Sequence, residues 1–470
     1  MKVKRYQSFI LLLAAAACFL FFQLKFRYHF FFVERSSLFV LSQDFLSGYF
    51  VKPAWSSCMA GDFLQQLYHY PVLGPLTLSV LLLVLGLFSL RSFNAVFAEC
   101  RSGFLKNVMP VVLAAAVMFV EARLNIYENA RLASLVSLLG GFLMWNVCSR
   151  AKWWAFGLGS LLCCWCFGYG FAVMLLLELL RCILQKRIPA GFVCAAALCA
   201  GLGFAASKPC RMITSEFMMY PGAGQWVDMR KEAGVDLLLA YDTEYARGNY
   251  ARVIEMYEKA KYPRIKEMGF FYAMSASQFG LLPDKLRNIK DPMIGPFVHV
   301  GEKSSLFLIE MMGEFYYLIG DMTYAERVSM HANSFTPSKC SPRLLQRLVM
   351  INLVTGDDKA ALKYLRILEK SPIYRCWALD HNPASPSPEV QREIDAKRPF
   401  VNNHDVIHVG DNCHTILTGL LDSNKGNVVA LDYMLCSDFM AGEKAMFYND
   451  YKKYGPRDKE LYNRLLKSRR

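Results

Sequence analysis

Acidic residues are scarce in the first 206 positions of this 470-residue chain: 7 Asp/Glu stand against 17 Lys/Arg, whereas the remainder carries 32 against 36. The shortage leaves the first part charge-poor and biased positive, as the cytoplasmic loops of a membrane protein are. Other things are missing too. No CxxC pair recurs at a zinc-type spacing, and the 15 cysteines are scattered, several inside apolar runs (Cys18, Cys163, Cys164, Cys166, Cys194, Cys199), where Cys behaves as a small hydrophobe. That excludes a disulfide framework. The HExxH metalloprotease pattern is absent. No basic patch with interleaved aromatics accompanies the formal charge of +14, so the reading excludes nucleic acid as a partner.

What is abundant is apolar sequence: 54% hydrophobic and 14% aromatic residues. A spanning helix needs ~20 mostly apolar residues, and candidates lie at about 8–24, 73–90, 107–121, 132–148, 153–183 and 188–206. The first follows Lys2, Lys4 and Arg5 like a signal peptide, yet it runs on through Phe19–Phe22 without a small-residue cleavage site, which predicts an uncleaved helix. Positive residues set the orientation. The N-terminus is expected inside and 25–72 outside, with Arg91, Arg101, Lys106, Arg150 and Lys152 on inner loops. A break of the 153–183 run at Gly168-Tyr169-Gly170 returns Arg181, Lys186 and Arg187 to the inside. This predicts about seven helices and a C-terminal half in the periplasm. Glu178, an acid within an apolar run, is expected to pair with Arg181 one turn on.

From about residue 229 the pattern changes. In YARGNYARVIEMYEKAKYP (Tyr245–Pro263), a glycine turn precedes an amphipathic helix with aromatic and small residues at packing positions. GEFYYLIGDMTYAERVSMHANSFTP (Gly313–Pro337) and INLVTGDDKAALKYLRILEKSP repeat the scheme. The turn glycines Gly248, Gly280, Gly320 and Gly356 are spaced by 32, 40 and 36 residues, around the ~34-residue period of tetratricopeptide repeats. Such arrays mostly bind peptides or proteins. Residues 380–400, DHNPASPSPEVQREIDAKRPF, read as a linker or irregular insertion reaching to about 415, and the last helices as a closing hairpin. The expectation is therefore an all-α chain: a polytopic bundle over 1–206 with an interfacial outer segment at 25–72, a connector at 207–228, and a tetratricopeptide-like solenoid over 229–470.

Two constellations carry possible chemistry. In NNHDVIHVGDNCHT, His404 and His408 are four apart, and Asp411 and His414 follow; a divalent ion is the weak alternative to a polar inter-helix segment. The outer segment holds Glu34, Asp44 and Asp62 among many aromatics, as pieces lying in the headgroup zone do. A carboxylate held there could act as general base or bind the metal of a lipid-linked donor. Membrane glycosyltransferases that use polyprenyl-phosphate sugars place acids in their first outer loop, and this layout resembles theirs. No Asp-Asp, Glu-Asp or Asp-x-Asp pair occurs in the segment and no cationic clamp for a phosphate is identifiable, so the leading expectation stays non-enzymatic. No cofactor is expected outside that alternative; the partners expected are the lipid bilayer and a protein or peptide on the repeat domain.

The stretches FFVERSSLFVLSQDFLSGYF and MAGDFLQQLYHYPVLG after a first helix resemble an uncharacterised bacterial family of multi-pass membrane proteins with a C-terminal helical-repeat domain. The resemblance implies architecture and no mechanism. It also implies a glycine pair after the proline of the loop, where this chain has Pro53-Ala54-Trp55.

Overall fold

A computed structural model describes residues 5–35, 38–51, 53–126, 132–185, 235–260, 266–289, 306–336, 340–401 and 413–455, with single positions at 196, 201, 459, 460 and 463. All regular structure among the described residues is helical. The chain divides into two units, Met1–Trp226 and Val227–Arg470. The expected span at 188–206 and the connector at 207–228 lie, but for positions 196 and 201, outside the described residues.

The first unit is built on α1 (Arg5–Lys25), α5 (Leu73–Val96), α7 (Met109–Leu124), α8 (Leu132–Cys148), α9 (Trp153–Phe167) and α10 (Gly170–Gln185). Helices α5 and α8 are central, each packing on several of the others. Two helices, α1 and α5, are long and apolar enough to cross a membrane; α8 and α9 are apolar but shorter. Three short helices, α2 (Arg27–Glu34), α3 (Gln43–Phe50) and α4 (Trp55–Gln65), lie between α1 and α5, and α6 (Gly103–Asn107) precedes α7.

The surface of this unit is apolar as well as its core. Large apolar side chains point outward: Leu24 is 76% exposed, Phe119 67%, Val147 68% and Leu176 64%. Polar side chains are inside and bonded across helices. Asn94 donates to Gln7 Oε1 at 3.2 Å and Gln7 to Asn107 O at 3.1 Å, joining α5, α1 and α6. Asn146 of α8 donates to Ser92 Oγ of α5 at 2.7 Å. Such bonds hold helices together where burial supplies no driving force between them.

The break at Gly168 shows how the backbone is satisfied. Gly168 has φ +63°, which ends α9. Ser137 of α8 donates to Phe167 O and accepts from the Gly170 N–H at 3.0 Å, while Tyr169 Oη donates to Ser134 O at 2.8 Å. A Cβ on Gly170 would stand 2.0 Å from Ser137 O, and one on Gly141 2.1 Å from Gly170 O. The glycines thus let α10 come close enough for Ser137 to reach both broken ends.

The second unit starts with four helical pairs: α11 (Val235–Ala246) with α12 (Tyr250–Lys259), α13 (Lys266–Gln278) with the short α14 (Leu282–Lys285), α15 (Leu306–Ile319) with α16 (Met322–Phe335), and α17 (Pro342–Thr355) with α18 (Asp358–Leu368). Gly248, Gly280, Gly320 and Gly356 turn these pairs with φ of +74°, +65°, +92° and +84°. In two of them the next residue starts the second helix: Asp321 accepts from the Tyr324 N–H and Asp357 from the Ala360 N–H, both at 3.0 Å.

The two helices of a pair are buried differently. Helices α16 and α18 bury one face, as in Ala361, Leu365 and Leu368 of α18. Helix α13 is buried on every side from Met268 to Ser277, and α15 nearly so. The cover comes from the end of the chain. Helix α22 (Val428–Ala441) packs on α14 and α15, with Tyr433 5.1 Å from the Phe315 ring and Asn427 donating to Ile319 O at 2.8 Å. Helix α20 (Pro388–Lys397) packs on α17, and Tyr317 Oη donates to Glu393 at 2.9 Å. The short α19 (Arg375–Asp380) precedes it, and α21 (Cys413–Ser423) and α23 (Lys444–Tyr454) flank α22.

Helix α20 corrects the expectation of an irregular insertion in its first part; of the rest of 380–415, residues 402–412 lie outside the described residues. Pro388 occupies the first turn, where a missing N–H is harmless, and Ser387 accepts from the Val390 N–H at 3.4 Å. The prolines start a helix here and do not break one.

Ion pairs bind the buried faces of the first helices to one another. Arg343 of α17 bonds Asp242 of α11 at 2.7 Å, and Arg347 holds both oxygens of Glu314 of α15, at 2.5 and 3.2 Å. Arg347 also lies 3.9 Å above the Tyr317 ring. Removing one partner of a buried pair leaves a bare charge, which costs ~3–5 kcal/mol. Glu314→Gln is therefore expected to lower the unfolding free energy of the full chain by about that much in denaturant titration, well beyond the effect of Glu255→Gln at an exposed pair on α12.

Candidate functional site

The outer segment condenses around aromatic rings: Phe39 lies 5.5 Å from Phe63, and Phe45 5.4 Å from Tyr49. Its three acids have different surroundings. Asp44 is exposed in the first turn of α3, where a negative charge complements the helix N-terminus. Asp62 is half-buried and accepts from Tyr49 Oη at 2.7 Å, tying α4 to α3. Glu34 is fully buried at the end of α2, 3.9 Å from His69 Nδ1.

Glu34 is also the acid with ionisable company. Arg35, Gln65, Gln66 and Tyr68 are all nearly inaccessible; Arg35 lies 4.0 Å above the Phe32 ring, and Gln65 donates to Val33 O at 3.2 Å. His29 on the same helix contacts Asn125 O at 3.1 Å, at the end of α7, and Asn125 donates to Glu121 O at 2.9 Å. Burial pushes the His29 imidazole down to about 4, so it is neutral. The chain reading chose the acids and missed Arg35, although it adjoins Glu34 in FFVERSS. Adjacency in the chain does not show that both side chains are buried.

Ala54 opens α4 with φ +62°, the one non-glycine residue in the left-handed region among the described residues. It is wholly buried, and its N–H donates to Trp165 O at 2.8 Å. Family resemblance suggests glycine at this loop, and the backbone here has the geometry that glycine takes without strain. Ala54→Gly is expected to raise stability by ~0.5–1 kcal/mol, read as a higher melting temperature of the detergent-solubilised protein.

Glu178 bonds Arg181 at 2.5 Å and accepts from Trp145 Nε1 at 3.3 Å, and Arg181 donates to Ser149 O at 2.7 Å. The acid is thus neutralised between α10 and α8, and its surroundings are those of a structural ion pair.

In the second unit His404, His408 and Asp411 lie outside the described residues. His414, in the first turn of α21, is described. Its Nε2 stands 2.6 Å from Asp450 Oδ2 of α23, and Asp438 of α22 completes a group whose ligand-type atoms all lie within 4.8 Å of one another. Asp438 and Asp450 are 5% and 8% exposed. Burial pushes Asp438 up to about 6; His414 opposes that, and Asp450 and Glu443 add to it. Sequence reasoning found His414 and missed both carboxylates, which lie 24 and 36 positions further on and reach it only because three successive helices pack together.

A groove of about 660 Å³ runs along α16, lined by Ile309, Thr323, Tyr324, Glu326, Arg327, Val328, Met330 and His331. It mixes apolar and charged surface.

These features define an all-helical protein with an apolar, internally polar bundle and a unit of helical pairs. The chain belongs to a family of unknown function (DUF6057), whose model matches residues 1–466. No curated protein and no solved structure matches the chain.

Proposed function

We propose that the protein is a multi-pass protein of the bacterial inner membrane that presents a tetratricopeptide-like domain on the periplasmic side, as a docking module for a protein or peptide. The apolar surface of the first unit carries this reading. Side chains such as Leu24, Phe119 and Val147 face outward while Asn94, Asn146 and Ser137 are bonded inside, an arrangement suited to lipid. The repeat reading rests on the four glycine turns and the one-sided second helices. In such arrays ligands usually dock on the first helices, but here α20 and α22 cover those faces. The docking surface is therefore assigned to the groove along α16. Two experiments test this. A reporter fused at the C-terminus should be active in its periplasmic and silent in its cytoplasmic form; the opposite result removes the placement. A photo-crosslinking side chain at Met330 should trap a partner that the same group at exposed Lys359 does not, and equal yields would sink the groove assignment.

A second reading has its own observation. Buried Glu34, 3.9 Å from part-exposed His69 and followed in the chain by buried Arg35, supports a polyprenyl-phosphate-sugar glycosyltransferase, with Glu34 as base or metal ligand. Asp62, engaged with Tyr49, and exposed Asp44 then serve the fold. On this reading Glu34→Gln abolishes sugar transfer from a polyprenyl-linked donor in vesicles, whereas Asp44→Asn retains it. Absence of any transfer by the wild-type chain across a panel of such donors counts against it.

A further inference from the structure

The closing helices α21, α22 and α23 bring a histidine and two buried carboxylates to one point. Asp438 and Asp450, at 5% and 8% exposure, stand together with the His414 imidazole, their ligand-type atoms all within 4.8 Å of one another. Lys453, on the same helix as Asp450, is engaged elsewhere, 2.9 Å from Asp422. Asp438 also sits in the last turn of α22, where its own peptide C=O and that of Phe439 end the helix and disfavour a negative charge. One of its carboxylate oxygens, Oδ2, is buried with no hydrogen-bond partner among the described residues. A buried acceptor of this kind is costly unless something positive fills the place next to it.

We propose that His414, Asp438 and Asp450 form a binding site for one divalent transition-metal ion of the zinc type. The mixed donor set favours such an ion over Mg²⁺ or Ca²⁺, which take oxygen ligands alone, since imidazole suits zinc and its neighbours. Donor atoms around zinc in tetrahedral geometry lie ~3.4 Å apart. The His414–Asp450 pair, at 2.6 Å, opens, and the widest pair, at most 4.8 Å, closes by about 1.4 Å. His414 can make that adjustment, because its side chain is 30% exposed. Its far nitrogen, Nδ1, is 3.4 Å from Thr418 Oγ1 one turn along α21, which orients Nε2 toward the carboxylates as outer partners of metal-bound histidines do. The exposed edge of His414 gives the ion its way in. Three protein donors leave a position for water, as in zinc sites that are not purely structural. The ion would staple three helices whose middle member covers α15, so it would also fix the cover over the helical pairs.

The test uses the full-length chain in detergent, stripped with chelator and titrated with Co²⁺, a spectroscopic stand-in for Zn²⁺. One equivalent should produce visible d–d absorption without a sulfur-to-metal charge-transfer band, since no thiol belongs to the site. His414→Gln and Asp438→Asn should each weaken Co²⁺ binding by at least about tenfold. Saturating Zn²⁺ should raise the melting temperature of the wild-type chain by several degrees and leave both variants unmoved. Without metal, Asp438→Asn should melt higher than wild type, because one of two facing carboxylates is gone. If that variant does not fold, His414→Gln, altered at a partly exposed side chain, carries the comparison alone. The proposal is overturned by a wild-type chain that takes up no Co²⁺, by a sulfur charge-transfer band, or by a spectrum undiminished in the variants. Absence of Co²⁺ uptake together with a stabilised Asp438→Asn would put a shared proton, and no metal, between the carboxylates.

Discussion

Backbone and side-chain polar groups inside an apolar bundle must find partners within the protein, and the first unit is arranged around that requirement. At the end of α9 the chain turns through Gly168, and the groups released by the turn are met from α8 by Ser137 and Ser134. That reach exists only because Gly141 and Gly170 allow backbone to approach backbone. The same requirement explains Asn94 with Gln7, Asn146 with Ser92, and Glu178 held between Arg181 and Trp145. These polar groups facing inward are answered by others, while much of the outer surface is apolar. An apolar run can therefore be broken at Gly168, and Glu178 can lie within one, with partners supplied by the neighbouring helix.

The second unit solves a different problem. Helical pairs bury the inner side of each second helix against the first helices, which leaves the far face of the first helices open. Here α20 and α22 close it. Their arrival converts ionisable residues of the first helices into a buried network, with Arg343 and Arg347 shared among Asp242 and Glu314 and with Tyr317 reaching Glu393. The helical pairs become a core with its own lid. The His414–Asp438–Asp450 group lies within the lid itself, on helices that must stay together for α22 to cover α15.

Much of this architecture was legible along the chain. The glycines at 248, 280, 320 and 356 stood out because only a turn with positive φ explains them at that spacing, and the Gly168-Tyr169-Gly170 break was legible for the same reason. The pairing of Glu178 with Arg181 followed from a three-residue offset on one helix. Helix α20 was misread because proline and serine score alike as loop formers and as helix starters; only the hydrogen bond from the Val390 N–H to Ser387 decides between them. The candidate sites were less legible. Among Glu34, Asp44 and Asp62 nothing local shows that the first is buried, the second exposed and the third tied to Tyr49, since the three share the same aromatic-rich surroundings in sequence.

Helix or turn, apolar or amphipathic face, and the positive bias of the first 206 residues depend on neighbours a few residues away and are written locally in the chain. Tertiary structure decided which charges meet. Asp438 and Asp450 come to His414 from different helices, Arg343 comes to Asp242 across 101 positions, and α20 and α22 return over helices formed long before them in the chain. Those encounters depend on the packing of whole helices, and the energy of a charge depends on whether another element excludes water from it. No local pattern encodes either quantity.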